Sequence, residues 1–188
     1  MIQIERHPPR RGRRTLWMGA CALLLAPLVA MQVTREVIWT ANDFLVFGTM
    51  LLAALGFYEL AARKARSAVY RWAAGLTVGT AFFLVWANLA VGLIGSEDNP
   101  ANLMFAGVLA VAFVGALAAR LRARGMAYAL FMTALAQMSV GIVAIAGALG
   151  VDGRGWPGDV IGLTGLFTCL WFAAALLFRR AAHHEMAA

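Results

Sequence analysis

Charge, cysteine, histidine and lysine are all scarce in this 188-residue chain. Only 13% of the residues are charged, against a hydrophobic share of 62%, where a soluble domain carries about 25% and about 45–50%. That imbalance leaves no room for a soluble catalytic domain. The two cysteines, Cys21 and Cys169, both lie in apolar runs without a CxxC pair or a neighbouring histidine, so neither a redox motif nor a zinc site is written here. The three histidines, His7, His183 and His184, are confined to the tails, which leaves none within an apolar span to ligate haem. The single lysine, Lys64, stands in a basic cluster, so a helix-borne Schiff base is excluded. Nothing pairs a nucleophile with a base or gathers metal ligands beyond carboxylate and amide. The expectation is a protein that is not an enzyme and carries no cofactor.

Apolar residues dominate what is present. Uncharged stretches run over 15–33, 44–58, 72–95, 103–119, 126–151 and 160–178. A span of the ~30 Å hydrocarbon core needs about 20 such residues as helix. None of the runs alternates with period two, so a barrel is not indicated. The fold expected is all-α: an integral membrane bundle of six transmembrane helices over 15–179, between a basic tail (1–14) and a short C-terminal tail (180–188). The second run is short, ~22 Å at 1.5 Å per residue, which places Asp43 and Glu59 at opposite headgroup boundaries. Glu59 and Arg63 stand four apart, the spacing of a helical ion pair. Pro27 is expected to kink the first helix.

Charge asymmetry sets an expected orientation. Of 16 basic residues, fourteen fall in the N-terminal tail (Arg6, Arg10, Arg11, Arg13, Arg14), the second loop (Arg63, Lys64, Arg66, Arg71), the fourth loop (Arg120, Arg122, Arg124) and the C-terminus (Arg179, Arg180). The alternate loops hold Arg35 and Arg154 with Glu36, Asp43, Glu97, Asp98, Asp152 and Asp159, two positive charges against six negative, a net of −4. By the positive-inside rule both termini are then cytoplasmic. Trp17, Trp39, Tyr58, Tyr70, Trp72, Tyr128 and Trp156 form the expected interfacial belt. The net charge of +7 follows from topology, and nucleic acid is not an expected partner. A basic tail before an apolar run also resembles a signal peptide, but the run is longer than the usual ~7–15 residues and lacks a small-x-small cleavage pattern. Cleavage would leave five helices in the same orientation.

The residues that could carry chemistry gather at the acidic face. Trp39, Asn42 and Asp43 open the second helix, Trp86 and Asn88 close the third, and Glu97, Asn99 and Asn102 lead into the fourth. Asn88, seven residues before Gly95, is expected ~10 Å below the end of its helix. One reading makes these eight residues the lining of an outward-facing polar pocket built from helices two to four, with the tryptophans as walls and oxygen ligands suited to a cation or a small polar molecule. The plainer reading is capping: Asn42/Asp43, Asn99-Pro100 and Pro157-Gly158-Asp159 all have the composition of helix N-termini. Asn88 and Gln137, inside helices, are expected to form interhelical hydrogen bonds. Gly75-xxx-Gly79 and Gly158-xxx-Gly162 are expected close-approach points. Leu60-Ala-Ala-Arg63 with Tyr70 and Leu117-Ala-Ala-Arg120 with Tyr128 suggest a duplicated helical hairpin.

The pattern Trp39-xxx-Asp43-Phe44, Tyr58-Glu59, Trp86-x-Asn88-x-Ala90-Val91-Gly92 and Gly95-Ser96-Glu97-x-Asn99-Pro100-Ala101-Asn102 resembles a family of small uncharacterised bacterial multi-pass membrane proteins. The resemblance covers helices two to five, and its most specific part is the Gly95–Asn102 stretch. It implies the membrane fold and lends weight to the acidic-face cluster, and it implies no activity, cofactor or partner. Two functions are therefore expected from different classes. One is binding or transport of a cation or small polar ligand, in the lipid bilayer. The other is a non-catalytic accessory or assembly role, in a homo-oligomer or a larger membrane complex.

Overall fold

The computed structural model describes residues 10–35, 37–151, 153 and 155–187. Six α-helices run in chain order: α1 Arg10–Val33, α2 Ala41–Lys64, α3 Ala68–Ala90, α4 Met104–Ala118, α5 Ala123–Ala146 and α6 Gly158–Ala187, with a 3-10 turn, Pro100–Leu103, leading into α4. No strand occurs among the described residues. Six helical segments, α4 counted together with its 3-10 turn, are long and apolar enough to cross a membrane. By length and composition, the chain is a multi-pass helical membrane bundle. Arg6, Glu36, Asp152 and Arg154 lie outside the described residues, as do the expectations resting on them.

The chain divides into two compact units, Met1–Gly56 and Phe57–Ala188. In the first, α1 passes through Pro27 without a break. Its span contributes nothing to a buried core, and Met18, Leu23, Leu25 and Val29 are exposed. An apolar helix of that kind suits lipid contact. Cys21 is exposed on it.

The second unit combines small residues with large rings. Its core holds Ala73, Ala74, Ala134, Ala144, Ala174, Ala175, Ala181 and Ala182 around the buried Tyr70, Phe105, Phe167, Trp171 and Phe178, while Trp72, Leu103, Leu117, Ile142 and Ile161 face outward. With lipid as apolar as leucine, helix association rests on packing, and alanine and glycine let backbones approach. α5 packs against both α4 and α6, and α3 packs against α6. The close approaches are at Gly115, where a Cβ would stand 2.7 Å from the Ala129 Cβ, and at Gly141, where it would stand 2.5 Å from Thr164 Cγ2. The two GxxxG motifs do not mark them. Gly79, Gly158 and Gly162 have open space around them, and Gly75 meets only the Tyr58 ring. Spacing alone selects a helix face without saying which face meets a neighbour.

Helix ends differ from the uncharged runs. α2 continues through Glu59 and Arg63 to Lys64, reaching 24 residues or ~36 Å, so the short second run understates its length. α3 stops at Ala90, five residues before the run ends, and α6 extends past Phe178 to Ala187, carrying into the expected C-terminal tail. The proposed duplication does not persist in conformation. Leu60–Arg63 lies within α2, whereas Arg120 and Leu121 adopt φ of 50° and 58° between α4 and α5. The matched tyrosines also part company. Tyr128 is 63% exposed, but Tyr70, at 1%, is a core residue rather than part of a belt. Its hydroxyl donates to the Leu121 carbonyl, and its ring packs edge-on against Phe178 at 5.0 Å.

Candidate functional site

Where α3 ends, the chain needs two left-handed residues to turn back: Gly92 at φ 68° and Gly95 at φ 76°. A Cβ at Gly92 would collide with the Ser96 carbonyl, so glycine is required there. The turn is held from within by Asn102. Its Oδ1 accepts from the Leu93 and Ile94 N–H groups at 3.0 and 2.9 Å. Its Nδ2 donates to the Ser96 carbonyl at 2.6 Å and, more weakly, to Ile94 at 3.4 Å. The side chain is thus saturated, and the residue is buried. Asn88 Nδ2 donates to the Asn102 carbonyl at 3.2 Å, the expected bond between elements. However, Asn88 lies two residues from the end of α3, ~3 Å rather than ~10 Å below it. Its Oδ1 is buried with no partner among the described residues.

Asn99 acts at the surface of the same knot. Its Oδ1 accepts from the Ala101 N–H at 3.0 Å, capping the 3-10 turn with Pro100 in the first position. Its Nδ2 donates to the Leu149 carbonyl, joining this turn to the α5–α6 connection. That second connection approaches through glycine: a Cβ at Gly150 would stand 3.0 Å from Gly95 N, and one at Gly153 3.0 Å from Gly95 Cα. Two loops meet backbone to backbone because neither carries a side chain at the contact.

Beside this contact lies a cleft of about 150 Å³, walled by Gly92, Gly95, Gly150 and Gly153, by Val91, Leu93, Val160 and Leu163, and by Trp156 and Asp159. Asp159 supplies its only charge among the described residues. A side chain at Gly155 would take the place of the Asp159 carboxylate, so that glycine leaves the carboxylate its room. Asn88, Asn99, Asn102 and Glu97 do not line the cleft. Glu97 is exposed, and Trp86 packs against Phe83 with ring centroids 5.6 Å apart. Trp156 and Asp159 escaped the sequence reading as site residues because Pro157-Gly158-Asp159 has the form of a simple helix start. The density of glycine over 147–158 was the signal that could have marked a close loop contact.

The other expected site residues belong to the first unit. Asp43 Oδ2 accepts from the Thr40 N–H at 2.7 Å and from Thr40 Oγ1 at 2.8 Å. The Asp43 N–H in turn donates to Thr40 Oγ1 at 3.4 Å. This reciprocal pair is a capping box at the start of α2. Trp39 packs edge-on against Phe44 and Phe47 at 5.2 and 5.4 Å, a cluster that fixes the entry into the helix, and Asn42 is exposed. No group of three histidine, cysteine or acidic side chains able to hold a metal gathers among the described residues. No family model matches the chain, and no curated protein or solved structure matches it either.

Proposed function

We propose that this chain binds a small cation or amine-bearing polar molecule in the cleft between the α3–α4 and α5–α6 connections, on the outward face of a bacterial inner membrane, with both termini in the cytoplasm. The observation that carries the reading is Asp159 and Trp156 on the wall of a cleft that, among the described residues, is otherwise made of glycine backbone and aliphatic side chains. A carboxylate and an indole together attract a positive group, the one by charge and the other by its ring face. A cleft of about 150 Å³ has room for a partly hydrated ion or an amine of a few heavy atoms. The orientation rests on the concentration of arginine at the opposite loops, and the net negative charge of the cleft-side loops would raise the local cation concentration.

The decisive experiment measures thermal unfolding of the purified protein in detergent against a panel of mono- and divalent cations and small amines at constant ionic strength. A ligand at a hundred times its Kd stabilises by about 2.7 kcal/mol. Wild type is expected to show that shift for at least one member, and Asp159→Asn to lose it. No shift across the panel, or an equal shift in the variant, would sink the proposal.

A second reading, a non-catalytic accessory subunit, draws support from the internal use of Asn88, Asn99, Asn102 and Asp43, all of which brace their own connections. Under that reading the protein migrates with a larger partner after gentle solubilisation.

A further inference from the structure

Four buried polar side-chain atoms in the middle of the second unit have no partner among the described residues: Gln137 Nε2 and Oε1 on α5, and Thr168 Oγ1 and Trp171 Nε1 on α6. Gln137 and Trp171 are both 0% exposed. Two contacts fix the register of this antiparallel pair. Gly141 meets Thr164, and Phe131 meets Phe172 with ring centroids 6.1 Å apart. Interpolation sets Gln137 level with Phe167 and Thr168, and Trp171 level with Thr133. Helical side chains lean toward the N-terminus of their own helix. Gln137 therefore leans toward the level of Trp171, and Trp171 toward that of Gln137. Gln137 is four residues from Gly141 on α5, and Thr164, Thr168 and Trp171 are four and three apart on α6, so these side chains share the facing stripes of the pair at that level.

The chemistry of these atoms selects the occupant. Gln137 Oε1 needs a donor, Gln137 Nε2 and Trp171 Nε1 need acceptors, and the Thr168 hydroxyl can serve as either. A cation would meet Oε1 but face two N–H donors, and an anion would meet the donors but face Oε1. No charged residue lies within two turns of Gln137 on α5, or of Thr168 on α6, so neither ion would find a counter-charge. A neutral molecule with two donors and two acceptors meets all four demands.

We propose that α5 and α6 enclose a bound water at the level of Gln137, bridging its amide to the Trp171 indole and closing on the Thr168 hydroxyl. Thr164 stands one turn from Thr168 toward the cleft end of α6, and Leu163 and Val160 beyond it line the cleft, so that end of the pair offers the shorter way in. The cost of leaving a polar group bare at this depth is what the water removes. The inference does not depend on the proposed cation site, with which it shares no residue.

The test uses ¹⁵N-labelled protein in detergent. The Trp171 indole N–H, assigned by its loss in Trp171→Phe, should show a magnetisation-transfer cross-peak to a long-lived water. Gln137→Leu should abolish the cross-peak and lower Tm by about 2–4 °C or more, because it strands the indole. Adding Trp171→Phe should then recover part of that loss. Absence of the cross-peak in wild type overturns the proposal, including the case in which Gln137 and Trp171 bond directly. So does a rise in Tm for Gln137→Leu, the result expected of a dry, unpaired amide. If Gln137→Leu fails to fold, the wild-type spectrum decides alone.

Discussion

Replacing Asn102 with alanine removes one side chain but unpins a whole turn. The amide serves two N–H groups, those of Leu93 and Ile94, at 3.0 and 2.9 Å, and donates to the Ser96 carbonyl at 2.6 Å. Leu93 and Ile94 are buried, at 2% and 0% exposure, so water cannot replace the lost acceptor without opening the turn. Each stranded buried donor costs about 1–3 kcal/mol. Ser96 is exposed, and its carbonyl recovers water, so the total is ~3 kcal/mol. For a chain of this size that lowers Tm by roughly 6–12 °C. Asn102→Asp separates acceptor from donor. The introduced carboxylate still accepts from Leu93 and Ile94 but faces the Ser96 carbonyl without a proton. The two N–H groups favour the ionised form, so the bonds to Leu93 and Ile94 persist and Asn102→Asp should cost less than Asn102→Ala. Thermal unfolding in detergent at neutral pH, relative to wild type, checks both. A shift under 2 °C for Asn102→Ala, or an Asn102→Asp variant destabilised as much as Asn102→Ala, would refute the account of Asn102 as the pin.

Two further expectations follow from packing and capping. Gly141→Ala places a Cβ 2.5 Å from Thr164 Cγ2 and should cost about 1–3 kcal/mol; Thr164→Ser, which removes that methyl, should recover part of the loss in the double variant, and additive losses would count against the contact. Thr40→Ala should cost about 1 kcal/mol through loss of the α2 cap, seen as faster amide exchange confined to residues 41–44, and uniform exchange changes along α2 would contradict it.

The six helices were legible because a run of apolar residues long enough to span lipid has few other uses, and because arginine punctuates the runs. Their ends were less legible for a physical reason. Charge marks where a segment meets polar surroundings, not where the backbone leaves helical geometry. α2 therefore outlasts its uncharged run at Glu59, and α3 stops short of its own at Gly92 and Gly95, where left-handed backbone ends it. Tyr70 shows the same limit on a single residue. Near a predicted interface an aromatic ring reads as belt, but the carbonyl it bonds to, Leu121, belongs to a loop 51 positions away.

The asparagines mark the border between what a pattern can and cannot tell. Asn88, Asn99 and Asn102 stand out as costly groups in an apolar chain, but an amide offers donor and acceptor to a ligand and to the backbone alike. What decides between them is the supply of unpaired peptide groups nearby. Glycine at 92 and 95 bends the chain so sharply that Leu93 and Ile94 lose any helical partner, and Asn102 is drawn in to replace it. Glycine at 150 and 153 then brings the second loop close enough for Asn99 to reach Leu149. Polar groups spent this way leave the cleft to Asp159 and Trp156, while Gln137, with no bent backbone beside it to serve, keeps both ends of its amide unspent.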